Sequence, residues 1–198
     1  MRKKLITAII ALSLVLSCMV GVTVAWLSVK TNTVTNTFSP SDITLELDET
    51  TTEYQMVPGV DIAKDPTVTV GGDVDAYVFV KIVESGSVTV DQTVYTFDDF
   101  LSYVIADGWT VLEGTDDAND TTNGNETVVI CRKVAITDTN KTFSILANNK
   151  VTTNTSVTKQ MMNAYKDGSI KLTFTAYAIQ QAGFDTPAAA WAEASKLG

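Results

Sequence analysis

Ile170-Lys171-Leu172-Thr173-Phe174-Thr175-Ala176-Tyr177-Ala178-Ile179-Gln180 is the stretch that decides the fold. Ile170, Leu172, Phe174, Ala176 and Ala178 share one side of an extended chain, while Lys171, Thr173 and Thr175 share the other. Side chains alternate across a strand, so the pattern predicts a strand over Ser169–Gln180 with one buried face. Upstream, Ala76-Tyr77-Val78-Phe79-Val80 is apolar on both faces. That suits a central strand covered on both sides, or one facing a partner.

The rest of the chain continues the theme. Threonine and valine dominate it, and both are β-branched residues that suit strands. Further strands are predicted at Ile43–Leu47, Thr67–Val70, Ala76–Val83, Ser87–Tyr95, Trp109–Leu112, Thr127–Ile136 and Thr142–Leu146. Turn-prone clusters separate them: Pro58-Gly59, Gly71-Gly72-Asp73, Asn148-Asn149 and Asp167-Gly168. Two helices are predicted. Phe97, Phe100, Leu101, Val104 and Ile105 follow helical spacing, with Thr96 and Asp99 placed as a capping box and Gly108 just beyond the end. Thr186-Pro187 opens the second, which runs from Ala188 to about Lys196. The sum is an all-β protein, an antiparallel β-sandwich with two short helices and no internal repeat.

With 198 residues the chain has room for one domain, or one domain plus a short appendage. Charged residues are 19% and apolar residues 45%, enough to bury a core. The net charge is −9, and three of the basic residues are Arg2, Lys3 and Lys4. Without those three, 11 basic residues face 23 acidic ones, a charge of −12. A surface of that sign repels phosphate backbones, which argues against nucleic-acid binding. There is no histidine, so zincin motifs and Ser-His or Cys-His nucleophile pairs are excluded. Asp98, Asp99, Asp116 and Asp117 are the residues left for carboxylate hydrolysis, but they form no defensible constellation. No catalytic residue, metal ligand or cofactor site is therefore assigned.

Arg2-Lys3-Lys4 precedes Leu5–Val29, which holds no charge, and Thr23-Val24-Ala25 puts small residues at −3 and −1 of a cut before Trp26. These are the marks of a secretory signal peptide over 1–25, the only part of the chain expected to meet a membrane. Residues 26–41 then form an N-terminal extension or donor strand, and 42–198 the sandwich domain. Two other readings stay open: an uncleaved anchor, and lipidation at Cys18, although Met19-Val20-Gly21-Val22 after it stays apolar. In the mature chain only Cys131 remains, inside the apolar run Val128–Cys131, where it reads as a small buried hydrophobe. The loop Asp116–Glu126 is dense in oxygen ligands and raises the question of calcium. Its spacing departs from known calcium loops, and a solvated hairpin tip is the plainer reading. Asn119, Asn125, Asn140 and Asn154 each head an Asn-x-Ser/Thr triplet, common in so threonine-rich a chain.

Several stretches resemble one family. Val20-Gly21-Val22-Thr23-Val24-Ala25-Trp26-Leu27-Ser28, followed by Asn36-Thr37-Phe38 and Leu45-Glu46-Leu47, is similar to the N-terminus of the TasA/camelysin family, whose precursors are processed by the SipW type of signal peptidase. Met56–Val70 resembles its Pro-Gly … Lys-x-Pro-x-Val segment, and Asp75–Ile82 its most recognisable strand. Ala176–Gln180, Gly183-Phe184-Asp185 and the alanine-rich segment around Trp191 resemble its C-terminus. The resemblance implies a jelly-roll β-sandwich secreted by a Gram-positive bacterium. It also implies a place among biofilm matrix fibre proteins and camelysin-type metalloendopeptidases.

The expectation is a secreted structural subunit of an extracellular fibre or surface layer, associating with itself and in some settings with other matrix or cell-wall components. Trp26–Phe38 is rich in strand formers and has no helical pattern, so it suits addition to a neighbour's sheet edge. Leu27 and Val29 share one face of that assembly strand; Val34 and Phe38 share the other. The same residues also suit a first strand of their own domain. The alternatives are a monomeric surface-binding module or adhesin that uses the Asp116–Glu126 loop, and a camelysin-type protease.

Overall fold

The computed structural model describes Ile6 and residues 42–50, 54–112, 126–166 and 168–197. All of the architecture that follows belongs to the unit Pro40–Gly198. Its spine is a four-stranded antiparallel sheet in the order β12-β4-β9-β8, built from β4 (Ala76–Ser85), β8 (Thr110–Val111), β9 (Thr127–Val134) and β12 (Lys171–Gln180). β12 pairs with β4 along its whole length, from Lys171 opposite Ser85 to Gln180 opposite Ala76. β4 pairs in turn with β9, Val80 opposite Ile130.

Both faces of this sheet are covered. Val78, Val80 and Ile82 of β4 join Ile130 and Val134 of β9 in the main core. Opposite them lie Val68 and Val70 of β3 (Thr67–Gly72) and Val151 of β11 (Lys150–Thr153). β3 is the middle of a three-stranded sheet between β1 (Ile43–Asp48) and β10 (Thr142–Ser144). β11 is the middle of another, between β2 (Asp61–Ala63) and β7 (Leu101–Ser102). This is the all-β antiparallel sandwich expected from the sequence. On the far face, Tyr77, Phe79, Val129 and Cys131 pack against Ala190 and Ala194 of a helix at Pro187–Ala194. Apolar residues at both parities of β4 are thus explained: sheets cover one parity and a helix the other. β12 shows the same device, because Phe174 and Ala176 face the sandwich core while Tyr177 and Ile179 face the helix.

Three α-helices are described: α1 (Phe97–Phe100), α2 (Lys159–Ala164) and α3 (Pro187–Ala194). α3 starts as the sequence predicts, with Pro187 in the first turn and the Thr186 hydroxyl accepting from Ala189 N–H at 3.2 Å. α2 is one more helix than the sequence suggests, capped by Thr158, whose hydroxyl accepts from Met161 N–H at 3.2 Å.

The helix expected across Phe97–Ile105 is corrected to a single turn. Asp99 does close it, accepting from Thr96 N–H at 2.7 Å. After Phe100 the chain becomes extended and Leu101 pairs with Thr153 of β11. Leu101, Tyr103 and Ile105 then turn inward together while Val104 is 68% exposed. A period of two has won over 3.6, because these apolar residues face a sheet and not a neighbouring helix. The single strand expected at Ser87–Tyr95 is a hairpin, β5 (Val88–Val90) and β6 (Thr93–Tyr95), turning at Asp91 and Gln92 with φ of 47° and 67°. No glycine marks that turn, so the sequence conceals it.

Candidate functional site

The residues named for export and assembly, Thr23, Ala25 and Trp26 together with Leu27, Val29, Val34 and Phe38, lie outside the described residues. So does most of the Asp116–Glu126 loop; of it only Glu126 is described. Two features within the described residues have functional geometry.

The first is the free side of β12. It lies at the end of the sheet order and, among the described residues, has a strand partner only in β4. On that side β1 (Ile43–Asp48) lies close to β12 without pairing with it, so the strand edge is unpaired but not bare, and an added strand has to share or displace that place. Beside its first half runs a groove of about 820 Å³, lined by Lys171, Leu172 and Thr173 of β12, Ile62 and Lys64 from the β2 region, and Val151 of β11. Lys171 and Thr173 belong to one parity of the strand and Leu172 to the other, so the edge itself forms a wall of the groove. Lys64 is buried, paired with Glu49 at 2.6 Å and lying 5.4 Å from the centre of the Phe174 ring. Phe174, central to the apolar face in the sequence, is half-buried.

The second feature is a cluster of carboxylates at one end of the spine. Val83 opposes Thr127 in the β4–β9 pairing, and the next residue, Glu84, donates its N–H to the carbonyl of Glu126 at 2.8 Å. The single turn of α1 brings Asp98 to the same place. One carboxylate oxygen from each of Glu84, Asp98 and Glu126 lies within 4.8 Å of the other two. Glu84 is only 5% exposed, whereas Asp98 is exposed and Glu126 half-buried. The Tyr103 hydroxyl donates to Glu84. Burial pushes Glu84 up to about 7; the Tyr103 bond opposes that rise, and the charges of Asp98 and Glu126 add to it. Burial and the Glu84 charge also raise the Tyr103 phenol above its ordinary value.

Sequence reasoning named Asp98 and Glu126 for separate purposes and missed Glu84, which reads as an ordinary strand-end residue. The register of β4 against β9 was the signal that could have joined Glu84 to Glu126. Asp99 is drawn off by its bond to Thr96. Asp116 and Asp117 lie outside the described residues. Cys131 is buried, as expected, in the layer between sheet and α3, where burial raises its thiol to about 11.

A comparison with family models finds none that matches, and searches of curated proteins and of solved structures likewise return no match.

Proposed function

We propose that this chain is a secreted structural subunit of an extracellular protein fibre or surface layer, of the TasA/camelysin kind, whose copies join by β-strand addition. The observation that carries this reading is the ten-residue β12 at the end of its sheet, whose ladder hydrogen bonds go to β4 alone among the described residues, with β1 close by but unpaired and a groove beside its first half. A strand laid along it gains main-chain hydrogen bonds along its length and side-chain pockets at alternate positions. The donor in this reading is Trp26–Phe38, which immediately precedes the domain and contains Val29, Thr31, Thr33, Val34, Thr35 and Thr37, all strand formers.

Leu27 and Val29 fall on one face of such a strand, Val34 and Phe38 on the other, so a single groove takes both sets only if the strand bulges or turns. Asn32 or Asn36 supplies that change of face. The test is light scattering of the secreted chain with a charge placed at Val29 or at Ser28. Val29→Asp weakens polymerisation far more than Ser28→Asp. Equal effects at both positions would contradict strand addition through this face.

A further inference from the structure

The carboxylate cluster is built from three separate elements and includes a group that the fold leaves unsatisfied. Glu84 lies near the end of β4, in register with Leu172 of β12 on one side and hydrogen-bonded through its backbone to Glu126 on the other. Its Oε2 is sealed from solvent and has no hydrogen-bond partner. A buried carboxylate oxygen without a donor is costly, and proteins keep very few. The charges of Asp98 and Glu126 deepen the problem, and the side-chain hydrogen bond between Glu84 and Asp98 relieves it only while one of the two carboxyls keeps a proton. A cation among the three resolves it.

We propose that Glu84, Asp98 and Glu126 bind a single calcium ion. Calcium takes oxygen ligands at about 2.3–2.6 Å, so two oxygens across one ion stand up to about 5 Å apart, and a triad within 4.8 Å spans one ion. Magnesium demands near-ideal octahedral geometry and gives up its water reluctantly, so an irregular set with one buried ligand suits calcium better. Zinc favours nitrogen and sulfur ligands, which this cluster lacks. Glu84 is the buried ligand, oriented by the Tyr103 hydroxyl; Asp98 and Glu126 close the outer side, and water completes the coordination. The bound ion ties the end of β4 to α1 and to the start of β9. With three carboxylates and no dedicated loop, the affinity belongs to the range of extracellular modules, on the order of 10⁻⁴–10⁻³ M. The site stands whether or not the chain polymerises.

The test uses the full chain, stripped with EDTA, dialysed at constant ionic strength and kept soluble with mild non-ionic detergent. Calcium is titrated by calorimetry and melting is followed by circular dichroism, with magnesium as the control ion. The expected result is one calcium per chain, a melting temperature raised by several degrees at about 10 mM calcium, and at least tenfold weaker magnesium binding. Glu84→Gln keeps the shape of the buried side chain and removes its charge; it abolishes the melting shift. Asp98→Asn, at an exposed position, weakens binding at least tenfold and carries the test if the buried variant fails to fold. Three results would overturn the proposal: no calcium binding up to about 10 mM, an equal response to magnesium, or calcium binding undiminished in Asp98→Asn.

Discussion

Phe79→Ala tests the three-layer arrangement, because Phe79 stands where the spine sheet meets α3. Its side chain is 0% exposed, and its ring centre lies 5.3 Å from that of Trp191 and 6.2 Å from that of Tyr77. Truncation removes the transfer energy of the ring and leaves a cavity between two rigid elements, a loss of about 3–5 kcal/mol. Against a typical domain stability of about 5–15 kcal/mol, that is roughly a fifth of the total or more. The sequence alone assigns the same 3–5 kcal/mol to Phe174→Ala, as the centre of the apolar face of β12. The structure lowers that figure to about 1.5–2.5 kcal/mol, since Phe174 is half-buried and borders the Lys64 side chain. Urea melts read both variants, with circular dichroism following the whole fold and fluorescence in a Trp109→Phe background following the α3 layer through Trp191. The midpoint falls in each and the slope stays unchanged. A loss below about 1 kcal/mol for Phe79→Ala, or a larger loss for Phe174→Ala, would refute the two-sided packing of β4.

Gly108→Ala places a methyl group where the Arg132 guanidinium packs, at a φ of +85° that L-residues rarely adopt, and costs about 1–3 kcal/mol in denaturant melts. It also displaces Arg132 from the carbonyls of Asp107 and Gly108, to which it donates at 2.8 and 3.0 Å. Thr153→Val stabilises the fold by about 1 kcal/mol, because the fully buried Thr153 hydroxyl has no hydrogen-bond partner and valine matches its shape. Cys131 resists alkylation at pH 8 in the native protein and reacts on unfolding, as peptide mapping that separates it from Cys18 will show; its thiol is buried and raised to about 11. Without divalent ions, stability falls as pH rises from about 4.5 through 7. Glu84 carries a native value near 7 against 4.5, so the folded state binds more protons in that window, and deprotonation costs about 3 kcal/mol at most. Melts of Glu84→Gln lose that slope.

The parts of the fold legible in the sequence are those whose pattern is set locally. β12 shows strict alternation up to Ala176, β4 shows apolar residues at both parities, and α3 carries its own cap and proline. β2 and β11 escape because each is short and exists through its partner: Ile62 opposes Val151, a contact between residues far apart in the chain. Leu101–Ile105 misleads because the same apolar residues satisfy a helical and an extended period, and only the neighbouring β11 and the bridge from Ile105 to Leu146 decide between them. The carboxylate cluster is tertiary in the same sense. Glu84, Asp98 and Glu126 follow no linear motif, and only the β4–β9 register and the lone turn of α1 bring them together.

Assembly by strand addition is the central claim, and electron microscopy of the secreted chain beside a variant lacking Trp26–Thr31 tests it most directly. Fibres or ordered layers from the intact chain, and only folded monomers from the shortened one, are the predicted result. Assemblies that form normally without those residues, or a shortened chain that no longer folds, would contradict it; the latter would make the segment a first strand of its own sandwich.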